Sequence, residues 1–196
     1  VERDARGFNR RIDLHCLGRS AHGSCPEAGA NAIESGIDFL QKASENGFEM
    51  RFTSVGGGES VNKVPDRSVM EFFLTSHQFE DFKRFFRDAT RDTGTDRSFK
   101  IEFGGIGDAG IRFLPEAVFP CLAETVEFFK SLGRDFQKMR DAGFNPEHST
   151  VSFGSLKQNP GRIDLLFDLR LLPDLMVQEI EKHIQDGLKK IAANYP

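Results

Sequence analysis

The sequence has no large surplus of charge of either sign. Across 196 residues, 26 Lys and Arg stand against 30 Asp and Glu, giving a formal net charge of -4 and a pI near 5.8. That balance leaves no electrostatic footprint for nucleic acid, and no RNA- or DNA-reading motif is present, so nucleic acid is set aside as a partner. No apolar run approaches the roughly 20 residues of a membrane span, and the opening V-E-R-D-A-R-G-F-N-R-R is no signal peptide. A soluble protein with no membrane attachment is expected. Cysteine is scarce: Cys16, Cys25 and Cys121 lie far apart, with no C-x-x-C spacing and no N-x-S/T sequon near them. This favours a reducing compartment, the cytoplasm, over a disulfide framework.

Several catalytic signatures are missing as well. There is no H-x-D, no H-E-x-x-H and no adjacent acidic pair of metal-site type, so the chain itself is expected to bind no catalytic metal. Glu80-Asp81 falls on the solvated face of a helix. No G-x-S-x-G elbow or Walker loop occurs, and Gly104-Gly105-Ile106-Gly107 lacks the helix-borne phosphate site that would give it meaning. Cys25 has no evident histidine to activate it as a nucleophile.

What is present is an ordinary globular composition, 38% apolar and 29% charged, in a length that fits one large domain or two small ones. The apolar pattern repeats. Ile12 to Leu40 lies over Ile101 to Phe129 at a shift of 89, and Pro65 to Thr75 lies over Pro160 to Arg170 at a shift of 95, which suggests internal duplication. Each half reads strand, helix, strand, strand, helix. Ile12, Leu14 and Cys16 alternate as in a half-buried strand. After Pro26, well placed for a helix start, Ala32, Ile33, Gly36, Ile37 and Leu40 recur at helical spacing. Phe48 to Phe52 and Val69 to Leu74 read as strands, and Thr75-Ser76-His77-Gln78 resembles a capping box ahead of a helix bearing Phe79, Phe82 and Phe86. The second half predicts a strand at Phe99 to Phe103, a helix from Pro115 to about Leu132, strands at Thr150 to Leu156 and Arg162 to Leu171, and a last helix carrying Ile180, Ile184 and Leu188. The expected fold is α+β, a ferredoxin-like antiparallel sheet with all helices on one face. Residues 1–10 are expected to be a linker, 11–98 the first unit and 99–196 a divergent second unit with an insertion at 133–147.

Two glycine-bounded segments stand out for chemistry. Gly18-Arg19-Ser20-Ala21-His22-Gly23-Ser24 leads to Pro26 and Gly29-x-Asn31-Ala32, and Gly56-Gly57-Gly58 leads to Asn62-x-Val64-Pro65-Asp66. Each pairs glycines with a side chain that can engage an anion or carbonyl, His22 in the first and Asn62 in the second. Taken singly, His22 reads more readily as a loop residue, Asn62 as a turn residue and Arg170, two after Asp168, as half of a surface ion pair. The second half places Ile111 where the first has His22, and the first places Thr75 where the second has Arg170. Polar loop residues that differ while the apolar pattern persists point to one asymmetric site.

These motifs resemble the lid or dimerisation domain of the M-twenty zinc peptidases, a family that includes aminoacylases, desuccinylases, carboxypeptidases and cytosolic dipeptidases. The likeness covers the first half well and the second only through Phe167-Asp168-Leu169-Arg170. It is similar to the doubled-lid, aminoacyl-histidine dipeptidase type, in which two such units share one chain. The resemblance implies that His22 stabilises an oxyanion on the scissile carbonyl, that Asn62 helps hold substrate and that Arg170 clamps a substrate carboxylate. It also implies two zinc ions and a general base, none of whose ligands are in these residues, so a separate catalytic domain of the same protein is the expected partner. The substrate would be a small peptide or an N-acyl amino acid. The chain opens without Met on a charged stretch, as expected of a domain cut from something longer and inactive alone. A doubled lid predicts a monomer, while exposed edge strands leave a homodimer open. The rival expectation is a non-catalytic interaction or small-ligand regulatory module of the same fold.

Overall fold

The computed structural model describes residues 7–91, 96–106 and 111–195. Val1 to Arg6 of the expected linker, Gly107 of the weak glycine run, and Pro196 lie outside these residues. The element order is β1 (Phe8–Leu17), a short 3-10 turn (Pro26–Ala28), α1 (Ala32–Glu45), β2 (Arg51–Gly57), β3 (Arg67–Thr75), α2 (Phe79–Ala89), β4 (Ser98–Ile106), α3 (Val118–Phe136), β5 (Thr150–Asn159), β6 (Arg162–Arg170) and α4 (Val177–Asn194). The expected linker is shorter than ten residues, because Phe8 pairs with Thr75 and Arg10 with Leu74, so the chain has entered β1 by residue 8.

The strands form one six-stranded antiparallel sheet in the order β4-β1-β3-β2-β5-β6. Alternation puts Ile12, Leu14 and Cys16 of β1 and Met70, Phe72 and Leu74 of β3 on one face, all fully buried. Over that face α1 packs on β1, β2, β3 and β5, α3 packs on β5, and α2 and α4 lean on α1 and α3 respectively. The α+β architecture with its helical layer is therefore the expected one. Ile33, Ile37 and Leu40 from α1 and Val126 and Phe129 from α3 complete a single core with the strands. The opposite face carries Arg11, whose guanidinium pairs with Asp13 at 3.0 Å and also with Glu71. No helix among the described residues is long and apolar enough to cross a membrane.

Three local expectations are corrected. Pro26 opens only the 3-10 turn, whereas α1 begins at Ala32 because the Asn31 side chain accepts from the Ile33 and Glu34 amides at 3.0 and 3.3 Å. The capping box does not form. Thr75 stays in β3 with its hydroxyl on Gln78 Oε1 at 3.2 Å, and Gln78 gives α2 no side-chain cap. The helix expected to end near Leu132 continues to Phe136, whose ring is buried in the core.

β4 departs from the repeat alignment. The central strands β3-β2-β5-β6 run in mirror order about the β2–β5 seam, but β4, aligned in sequence with β1, pairs with β1 itself instead of with β6. By hydrogen bonding β4 thus joins β1, although the expected boundary at 98 places it with the second unit. The chain then travels from that edge to α3 through 111–117, where Leu114 N–H donates to Phe52 O at 2.7 Å. There Phe113 packs with Phe8 and Phe73 in a small second cluster.

The seam itself has one backbone pairing, Gly57 with Leu156. The glycine loop reinforces it. Gly58 has φ of +70°, and a Cβ built there would lie 2.0 Å from Gly154 O, so only glycine lets the loop turn and lie against β5.

Candidate functional site

The two glycine-bounded segments are zipped together by their backbones. Gly18 N–H donates to Asp66 O at 2.9 Å, Val64 N–H to Ala21 O at 2.9 Å, and Gly23 N–H to Asn62 O at 2.8 Å, with an isolated bridge between His22 and Lys63. The His22 loop therefore inherits its position from the Asn62 loop. At its far end Ala32 N–H donates to Pro65 O at 2.9 Å, so the start of α1 is fixed by the same strap.

His22 is exposed on this strap. Its Nδ1 lies 2.8 Å from Ser24 Oγ and accepts the Ser24 backbone N–H at 3.2 Å. A backbone amide can only donate, so Nδ1 is the acceptor nitrogen and the neutral ring carries its proton on Nε2. Among the described residues Nε2 has no hydrogen-bond partner, which leaves it as a donor on an exposed side chain. Asn62 is exposed too. Its Oδ1 accepts from Ser60 Oγ, so its side-chain N–H groups are left to donate.

The second half supplies the third residue. Arg170, at the end of β6, is 42% exposed in its side chain and donates through Nε to Asp168 Oδ2 at 2.9 Å. Its cross-strand partner Thr150 donates through Oγ1 to Gly23 O at 3.3 Å. Gly23 thus touches Asn62 on one side and the β5–β6 pair on the other, directly after His22. The three residues singled out in the sequence lie on segments that converge at this glycine. Sequence reasoning missed Gly23 and Thr150, and it took Asp168 only as half of a surface pair. Its position two residues before Arg170, on the same strand face, was the available signal.

A separate recess of about 380 Å³ opens beside the 3-10 turn, lined by Pro26, Asn31, Glu34, Lys130, His148 and Ser152 among others, and includes none of the three candidates. Burial pushes the Glu34 carboxyl up to about 7, against the pull of Lys130. Lys130 is itself held by both oxygens of Asp38 at 2.9 and 3.0 Å. No group of three His, Cys, Asp or Glu side chains that could hold a metal ion occurs among the described residues. These residues do not fit the zinc that the resemblance implies, and no chemical step is routed through a metal within this chain.

Residues 9–93 match the family model of a peptidase dimerisation domain. No curated protein matches the sequence. Among solved structures the chain is similar to an aminoacylhistidine dipeptidase from Vibrio alginolyticus, with 13% identity and a TM-score of 0.69 over 97% of this chain and 39% of that one. It is also similar to an aminobenzoyl-glutamate utilization protein from Klebsiella pneumoniae, with 18% identity and a TM-score of 0.39 over 63% of this chain and 34% of that one. The first likeness shows the fold over nearly the whole chain. The chain spans 39% of that structure's length.

Proposed function

We propose that the chain, whose residues 9–93 match the family model of a peptidase dimerisation domain, is the lid of a zinc-dependent metallopeptidase acting on small peptides or N-acyl amino acids. The observation that carries this reading is the state of His22: Nδ1 is occupied by Ser24, and Nε2 is left without a partner among the described residues, on an exposed, backbone-braced loop. In this reading Nε2–H donates to the oxyanion that develops on the scissile carbonyl, an interaction that strengthens as charge builds and so lowers the barrier. The Asn62 side-chain amide donates to the substrate backbone. Arg170 pairs with a substrate carboxylate.

The zinc ions and the general base belong, in this reading, to a catalytic domain outside these residues, which the lid covers in the cytoplasm. The two-unit organisation is part of the same proposal. With the free edge of β2 taken by β5, the second unit occupies the place where a second lid would dock, which favours a monomer.

Two measurements test the reading. Supplied with zinc and a panel of dipeptides, this chain alone should hydrolyse none of them, and measurable turnover would refute the assignment as a lid. In the protein that joins it to its catalytic domain, His22→Ala should lower kcat by about 100-fold or more, the scale of removing one oxyanion donor. Unchanged kcat would remove His22 from the mechanism.

A further inference from the structure

Asp168 stands between the two halves of the candidate site. Its Oδ2 accepts from Arg170 Nε at 2.9 Å. A Cβ built on Gly23 would lie 2.6 Å from that same oxygen and 3.1 Å from the carbonyl oxygen of Asn62. Real Cβ atoms do not come within 2.6 Å of another heavy atom, so position 23 has room for hydrogen alone while Asp168 keeps its place. Gly23 is also pinned from three directions. Its N–H donates to Asn62 O, its carbonyl accepts from Thr150, and Asp168 covers its Cα.

An exposed Arg–Asp pair two residues apart on a strand is ordinarily worth little, because both side chains lose freedom to hold it. This pair differs in what it leans on. The Asp168 side chain is only 21% exposed, and its carboxylate is wedged against buried backbone. With Nε committed to Asp168, the guanidinium is fixed in plane, and among the described residues Nη1 and Nη2 have no partner. Those two nitrogens form the end-on fork that takes a carboxylate with two parallel hydrogen bonds.

We infer that Asp168 is a positioning residue: it locks Arg170 against the His22 loop, so that the carboxylate fork of one unit and the oxyanion donor of the other are set at a fixed separation. The inference rests on the lid reading above and deepens it, because it makes preference for substrates with a free carboxylate depend on a residue that does not itself touch substrate. It also explains why residue 23 is glycine. Any larger side chain would push Asp168 off the loop or break the Gly23–Asn62 contact.

The test uses the protein that joins this chain to its catalytic domain, and two substrates: a dipeptide with a free C-terminal carboxylate and the same dipeptide as its C-terminal amide. Arg170→Ala should raise KM for the free dipeptide by about 10-fold or more and leave the amide nearly unchanged, as expected for loss of a charge-assisted contact made in the ground state as well. Asp168→Asn, which keeps the shape and removes the charge, should reproduce most of that selective rise. Gly23→Ala should do the same, and combining it with Asp168→Ala should add little to Asp168→Ala alone, since the 2.6 Å clash is then gone and only the 3.1 Å approach to Asn62 O remains. A merely structural role for Asp168 would instead impair both substrates equally and lower the melting temperature.

The overturning results are distinct. Wild-type kinetics for Asp168→Asn on both substrates, with Arg170→Ala still selective, would reject the role of Asp168 and leave the lid reading standing. If Arg170→Ala and His22→Ala both left the two substrates untouched, the lid reading would fail and the inference with it. A readout independent of activity is the Arg170 Nε–H resonance of this chain, expected to exchange slowly with solvent. Asp168→Asn should speed that exchange and shift the Gly23 and Thr150 amides, and unmoved amides would overturn the coupling. Should Gly23→Ala fail to fold, the isosteric Asp168→Asn still decides the question.

Discussion

Gln158 of β5 replaces missing strand pairing by reaching across to Val55 of β2: its Oε1 accepts the Val55 backbone N–H at 3.0 Å, while its Nε2 donates to Thr53 O at 3.2 Å. The backbones of these two strands pair only at Gly57 and Leu156, so one side chain supplies two further rungs of the seam. Gln158→Ala should cost about 1 kcal/mol of stability, the net worth of hydrogen bonds lost at a partly solvated site. The local signature is sharper. Hydrogen exchange at the Val55 amide should speed up while amides in the middle of β1 and β3 stay protected, and an unchanged Val55 amide would show that packing alone closes the seam.

Phe82 governs how α2 attaches. It is the one buried residue of that helix and sits fully buried among the rings of Phe39, Phe48 and Phe72 at centroid distances of 6.3, 5.2 and 5.6 Å. Truncation to Ala removes the ring and leaves a cavity that the surrounding phenylalanines can fill only in part. A loss of about 3–5 kcal/mol in urea unfolding is expected. Substitution of exposed Arg84 on the same helix should be nearly neutral, which separates packing from helix propensity.

Much of this fold is legible in the sequence because burial writes a period into it. Ile12, Leu14 and Cys16 at period two, and Ile33, Ile37 and Leu40 at helical spacing, identify β1 and α1 without coordinates. The place of β4 is not legible. Its apolar alternation matches β1 as well as it would match any neighbour, and which strand it joins depends on whether the chain after Ile106 crosses the sheet, as 111–117 does, information that periodicity does not hold. The candidate site divides in the same way. His22 and Asn62 announce themselves by glycine-rich surroundings, but the approach of Asp168 to Gly23 spans 145 positions and arises only when β6 is laid beside β5. The capping of α1 by Asn31 was hidden behind Pro26, a stronger local signal that drives only a 3-10 turn.

Cysteine reactivity should separate cleanly by position. Cys16 is fully buried on the core face of β1, and burial pushes its thiol up to about 12 against the opposing hydrogen bond of Ser68. Since the thiolate is the nucleophile, native protein treated with iodoacetamide at pH 8 should be alkylated at the partly exposed Cys25 and Cys121 and spared at Cys16. Addition of guanidinium should bring Cys16 to the same labelling, measured by peptide mass spectrometry. Labelling of Cys16 at the rate of the other two in native buffer would mean that β1 opens from α1 far more often than its packing implies.

Glu34 makes stability depend on pH in an unusual direction for a carboxylate. Its pKa rises from the ordinary 4.5 to about 7, chiefly through burial, with Lys130 and Arg97 opposing and Asp38 and Glu127 reinforcing the shift. The folded protein therefore holds this proton more tightly than the unfolded chain. The stabilisation is complete below about pH 4.5 and is lost as pH rises through 7. Glu34→Gln keeps the shape and removes the titration. The variant should match wild type near pH 4.5 and exceed it at pH 8.5 by about 1–2 kcal/mol, less than the full shift would give because the carboxyl lines a recess open to water. Melting curves at the two pH values check this. A variant less stable than wild type at pH 8.5 would show that attraction to Lys130 and Arg97 outweighs burial and that folding does not raise the Glu34 pKa.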